Sequence, residues 1–184
     1  MPKTPIILIG PMATGKSTIA LELANLTKIR NVPMDRVRWY YYFQDGFSLE
    51  KEVSLDSFHA RLNYWKPFEL KAVRKIINEF QDAIIDFGAG HSYYTEEKHF
   101  EEAKELLAPI ANVFLLLPSD DKEESMKICN ERLKIKLERD LKHEEIDANR
   151  DFIYGKSNYE LAKRVIYTKE KSPTTIAEEI KTLL

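Results

Sequence analysis

The sequence predicts a three-layer α/β domain, a parallel sheet covered by helices on both faces. Three observations lead there. Short apolar runs are continuous rather than alternating, as expected of strands buried on both sides. Segments of helical character separate these runs, giving a strand–helix alternation. The first run passes through a glycine-bounded turn straight into a helix.

Five runs read as buried strands: Ile6–Ile9, a short one at residues 31–34, and residues 83–87, 113–117 and 165–167. Helices are expected over residues 16–26, 56–80, 96–107, 120–139 and 173–183. The second of these should be interrupted at Pro67, which lacks an amide hydrogen and clashes inside a helix. Ser172 before Pro173 makes a good cap and first-turn pair for the last. Residues 141–152 are polar with no convincing period and read as a mobile loop, a possible lid over 140–153 within a single domain spanning residues 1–184.

Composition narrows the class. The chain has 184 residues, 43% hydrophobic and 32% charged, an ordinary balance for a globular chain of one-domain size. A net charge of -2 gives no overall positive field to attract nucleic acid or an anionic membrane. Cys129 is the single cysteine, so no internal disulfide can form, and a lone thiol fits a reducing compartment. No apolar stretch reaches membrane-spanning length, and the expected location is the cytoplasm.

The chemistry is carried by Gly10-Pro11-Met12-Ala13-Thr14-Gly15-Lys16-Ser17. It matches GxxxxGK[ST] in full, between an apolar strand and a helix. Gly10 and Gly15 allow backbone angles that side chains block, so that successive N–H groups turn toward the β- and γ-phosphates of a nucleotide. The helix N-terminus adds about half a positive charge at the same place. Lys16 adds a full charge, the Ser17 hydroxyl is a hard ligand for Mg²⁺, and Thr18 is placed to donate to the α-phosphate. The expected ligand is ATP with Mg²⁺. Asp86 closes an apolar strand, the pattern that holds Mg²⁺ through water in many phosphate-loop enzymes, so Ser17 and Asp86 are the candidate metal residues. Asp86-Phe87-Gly88 is not the protein-kinase triplet, since the companion signatures of that fold are absent.

From residues 6–18 onward the chain resembles the shikimate kinase-like branch of the phosphate-loop small-molecule kinases. Asp35 stands about where that family carries an acidic residue after its second strand. Phe87-Gly88-Ala89-Gly90 is placed like its glycine-rich turn, and Arg132 like an arginine on the helix after its fourth strand. Asn158-Tyr159-Glu160-Leu161-Ala162 through Ser172-Pro173 is similar to its final helix–strand–helix. The resemblance implies a sheet order of 2-3-1-4-5, an acceptor site beside the phosphate loop, and a lid. It implies Asp35 as the base or orienting group for an acceptor hydroxyl, with Gly88 and Gly90 allowing close approach of the acceptor. It also implies Arg132 against the nucleotide, with Arg139 and Arg150 as further lid cations. Departures are visible. Pro33 occupies the place of a second acidic residue, and the two arginines that hold a shikimate carboxylate have no clear equivalents, Gly155 standing in one place. The acceptor is therefore expected to be a small molecule other than shikimate.

Two features remain. His91 follows the glycine turn and reads as a surface histidine or an acceptor contact. Trp39-Tyr40-Tyr41-Tyr42-Phe43 cannot all face one core on a helix, because successive residues rotate by about 100°. Some of these rings must face a cleft, a partner or solvent. Rival readings are a nucleoside or nucleotide kinase and a non-catalytic nucleotide-binding regulator. A third, transfer of a group other than phosphate, is suggested by Gly10-Pro11-Met12-Ala13, which also looks like the start of tRNA prenyl transferases.

Overall fold

A computed structural model describes residues 4–184. The strands β1 (Ile6–Ile9), β2 (Asn31–Pro33), β3 (Ile84–Asp86), β4 (Asn112–Leu117) and β5 (Arg164–Tyr167) form one parallel sheet in the order β2-β3-β1-β4-β5. This is the predicted architecture. The helices are α1 (Lys16–Thr27), α2 (Met34–Gln44), α3 (Leu49–Val53), α4 (Phe58–Glu79), α5 (Glu97–Leu107), α6 (Lys122–Leu137), α7 (His143–Tyr154), α8 (Lys156–Leu161) and α9 (Pro173–Thr182). A 3-10 turn covers Ala89–Ser92.

The continuous apolar strands serve two cores. Ile7 and Ile9 of β1, with Val113, Leu115 and Leu117 of β4, pack into a cluster built with α2, α4 and α5. Ile6 and Leu8, with Phe114 and Leu116, point the other way, against Ile19 and Leu23 of α1 and Ile176 and Ile180 of α9. A strand that must satisfy both faces has no position left for a polar residue, which is why the runs did not alternate.

Two expectations are corrected, and the helix α2 after β2 was not anticipated. Residues 141–152, read as a mobile loop, are mostly the helix α7, whose inward stripe is Ala148, Asn149, Phe152 and Ile153. A buried asparagine and an alanine in that stripe erase the apolar period. The helix α4 runs through Pro67 without a break. Pro67 lies on the solvent side with Asn63, whose carbonyl loses the helical partner and can turn to water instead, while Leu70, Val73, Ile76 and Ile77 anchor the opposite face. The chain after β2 turns directly into α2, with Pro33 at the cap position and Asp35 in the first turn. Among the described residues no helix is long and apolar enough to cross a membrane.

All the turns that leave β1, β2, β3 and β4 at their C-terminal ends lie on one edge of the sheet, the edge at which open α/β sheets hold ligands.

Candidate active site

The turn after β1 is shaped by three residues with positive φ: Gly10 at 140°, Ala13 at 59° and Gly15 at 94°. Gly10 is also hemmed in, since a Cβ there would stand 2.5 Å from the Leu116 carbonyl oxygen of the neighbouring strand. The helix α1 that follows has no side-chain cap, so the amides of its first turn are left for an anion. The Lys16 ammonium donates to the carbonyls of Gly10 at 2.9 Å and Pro11 at 2.7 Å, which leaves its third proton free. Burial pushes Lys16 down to about 8, against the pull of Asp35, Cys129 and Asp86. A polyanion beside it would restore the charged form.

Asp86 stands next to Leu8 in the sheet register and opposite Pro33 on the other side. The residue that replaces an acidic position thus faces a carboxylate on the adjacent strand. Burial raises Asp86, while a hydrogen bond from Ser17 and the Lys16 charge lower it. Its Oδ1 is buried and has no partner. A buried carboxyl oxygen with no donor among the described residues, beside Ser17 and the glycine-bounded loop, fits a hydrated Mg²⁺. Among the described residues no three His, Cys, Asp or Glu side chains converge on one metal position.

The glycine turn after β3 is filled by acidic side chains. A Cβ on Gly88 would lie 2.2 Å from Asp35 Oδ1 and 2.8 Å from His91 Nδ1. One on Gly90 would lie 2.4 Å from Glu69 Oε1. Gly88 and Gly90 therefore admit protein carboxylates, and Asp35, on an exposed first turn, leans over the first of them. Arg38 approaches Asp35 at 3.6 Å. Behind them Lys66 Nζ donates to Glu69 at 2.7 Å and to the Gly90 carbonyl at 2.6 Å, so a buried ion pair braces the turn. Burial opposes the ionised form of Glu69, but the Lys66 ion pair and hydrogen bond, with Arg38, outweigh it and hold Glu69 below its ordinary value of 4.5. A depressed carboxyl contributes stability above that ordinary value and loses it as pH falls through the folded value. Glu69→Gln is expected to destabilise the fold at neutral pH by roughly 3 kcal/mol. It should also flatten the acid limb of stability against pH, both read from urea unfolding.

A cavity of about 420 Å³ joins these parts, lined by residues 12–18 and by Asp35, Phe87, Gly88, Ala89, Arg132, Leu133 and Lys136. Lys16, Ser17, Thr18, Asp35, Gly88 and Arg132 are thus brought together, with Met12, Ala13, Thr14 and Gly15 forming the floor. Gly90 and Asp86 flank it. Arg139 is not brought in: it forks onto Glu145 at 2.6 and 3.0 Å on the surface. Arg150 likewise pairs with the exposed Asp147 at 2.8 Å.

Three contributors were not found from the sequence. Lys136 supplies a cation one turn beyond Arg132, and its i,i+4 spacing was the available signal. Asn149 is wholly buried, accepts from the Met12 amide at 3.0 Å and donates to Asn130 at 3.0 Å, so α7 is moored to the phosphate loop. A smaller cavity of about 220 Å³ on the other side of the loop is lined by Thr18, Arg132, Thr168, Lys171 and Pro173. The Thr168 hydroxyl is buried there without a partner. Nothing local in the sequence marks it.

The aromatic run divides by helical rotation. Tyr41 and Tyr42 are buried, Trp39 is partly buried, and Tyr40 and Phe43 face solvent. Trp39 packs edge-on against Tyr42, Phe47 and Trp65, so the inward rings of the run meet one another rather than forming an open pocket. His91, read as a surface or acceptor residue, is buried, with its Nε2 3.2 Å from the Tyr42 hydroxyl.

The sheet order and the arrangement of helices give a fold that several solved kinase structures share. No family model matches the chain, and no curated protein matches it. Solved structures do. The chain is similar to a shikimate kinase from Acinetobacter baumannii in complex with shikimate, at 18% identity and a TM-score of 0.68, over 98% of this chain and 92% of that one. It is similar to a shikimate kinase from Bacteroides thetaiotaomicron at 16% identity and 0.64, over 98% and 96%. A gluconokinase from Sinorhizobium meliloti 1021 aligns at 11% identity and 0.58, over 97% and 90%.

Proposed function

We propose that the protein is a Mg²⁺-dependent ATP phosphotransferase acting on a hydroxyl of a small molecule. The observation that carries this is the arrangement along one cavity: an uncapped helix start and Lys16 at one end, the Ser17–Asp86 contact beside them, and the Asp35 carboxylate over Gly88 at the other. In this reading the loop amides and Lys16 grip the β- and γ-phosphates. Ser17, and Asp86 through water, would hold the Mg²⁺ ion, which would supply neutralisation of the phosphate charge. Asp35 orients the acceptor hydroxyl and takes its proton. Arg132 and Lys136 hold the equatorial oxygens. The smaller cavity takes the nucleoside, with Thr168 as a hydrogen-bonding partner for it. Residues 140–142, just before α7, are the part of the 140–153 region left to act as a lid, because α7 itself is moored by Asn149. A single domain and a cytoplasmic location accord with this reading.

Incubating the protein with Mg²⁺-ATP and a panel of sugars, hydroxy acids, nucleosides and antibiotics tests it. Phosphorylated product from at least one acceptor is the expected result. Nucleotide binding with no acceptor-stimulated turnover would favour a regulatory nucleotide-binding protein instead. Asp86→Asn is expected to remove the dependence of nucleotide affinity on Mg²⁺ while the melting temperature holds or rises, since a buried carboxylate oxygen without a donor is replaced by a neutral amide. Calorimetry with and without Mg²⁺ reads the first effect, and thermal unfolding the second.

A further inference from the structure

His91 is one of the most buried polar side chains of the protein, at 1% exposure, yet the functional reading above leaves it idle. Its two ring nitrogens have different surroundings. Nε2 lies 3.2 Å from the Tyr42 hydroxyl. Nδ1 is buried without a partner and shares with Asp35 Oδ1 the space above the Gly88 Cα. Burial keeps the ring neutral, against the pull of Glu69 and Asp35, so one nitrogen carries a proton and the other does not.

The neighbours decide which. The groups that face the ring are Asp35, Arg38 and Tyr42 of α2 and Lys66 and Glu69 of α4, with the Tyr94 hydroxyl on the His91 carbonyl. Burial holds the Tyr42 hydroxyl as a neutral phenol, and the Arg38 guanidinium lies 5.9 Å from the centre of its ring. A neutral phenol has one proton to donate, and Nε2 at 3.2 Å is the acceptor in reach. The proton of the ring then sits on Nδ1, toward the Asp35 carboxylate. The opposite tautomer would turn a nitrogen lone pair toward the carboxylate lone pairs, which is unfavourable.

We propose that His91 is a positioning residue for Asp35: a directed chain from the Tyr42 hydroxyl through His91 ends in an Nδ1–H that steers the Asp35 carboxylate across Gly88, toward the acceptor hydroxyl. Arg38 also meets Asp35 directly at 3.6 Å, so the four side chains close a ring around the glycine. The arrangement explains why position 88 carries no side chain and why a buried histidine is kept among four charged groups. The role assigned to Asp35 rests on the kinase reading; the tautomer and the His91–Asp35 contact do not.

The test uses nucleotide-free protein labelled with ¹⁵N in the histidine rings. Long-range ¹H–¹⁵N spectra should show one slowly exchanging ring with a protonated Nδ1 and a bare Nε2. Asp35→Asn, at an exposed side chain, should shift that Nδ1–H resonance, and Tyr42→Phe should release the ring into a mixture of tautomers. An Nε2–H ring in the wild type, or an Nδ1–H resonance that ignores Asp35→Asn, overturns the proposal. On any acceptor found by the panel, His91→Phe should lower kcat roughly tenfold with the KM for ATP unchanged, and His91→Asn should recover most of the loss. A change in the KM for ATP as large as that in kcat would mark His91 as merely structural. Absence of turnover in every form would sink the kinase reading and leave the spectra to decide the contact.

Discussion

Lys16→Ala is expected to raise the dissociation constant for Mg²⁺-ATP about a hundredfold and to lower turnover by about two to three orders of magnitude. The residue is buried, and two of its three protons are held by the loop's own carbonyls at Gly10 and Pro11. Its charge therefore sits at a fixed point inside the cradle, where the dielectric is low and a phosphate oxygen gains most from it. The fold should survive, because burial already disfavours the ammonium and drives it down to about 8. Calorimetry on the variant decides the matter: affinity within about threefold of wild type would mean that the loop does not bind phosphate in this way. Circular dichroism excludes unfolding as the cause of a loss.

Gly88→Ala is expected to separate nucleotide binding from transfer. The new methyl would stand 2.2 Å from Asp35 Oδ1 and 2.8 Å from His91 Nδ1. Asp35 is the flexible end of an exposed side chain and will move; His91 is buried among its partners and will not move easily. The carboxylate is thus pushed off the glycine by more than an ångström. Displacements of that size cost roughly 10²-fold in turnover where a reacting hydroxyl must be held in line. Mg²⁺-ATP affinity should stay within about twofold, since the phosphate cradle is untouched. Equal losses in affinity and turnover would show that Gly88 supports the loop rather than Asp35.

The buried strands and the phosphate loop were legible because both depend on local pattern, whereas the sheet order followed only from the family resemblance. A run such as Val113 to Leu117 with no polar break declares itself buried on both faces, and a glycine-bounded loop with Lys16 and Ser17 declares an anion site. The helix α7 was not legible, since its inward stripe spends a position on Asn149, whose partner Met12 is 137 residues away. Arg139 looked like a site residue by its place next to a polar segment. In the folded chain that segment is a helix start whose Glu145 takes the guanidinium.

The sequence by itself determined the fold class, the glycine-bounded loop and the candidates Lys16, Ser17 and Asp86, because each follows from neighbours a few positions apart; Asp35 entered through the family resemblance. Only the tertiary structure decided which of the remaining charges share the cavity, that Lys136 joins Arg132 there, and that Gly88 stands between Asp35 and His91. Those relations join separate elements, β3 with α2 and α4, and β1 with α7. The energies that set them, desolvation and paired charge, depend on distance in space rather than on separation along the chain.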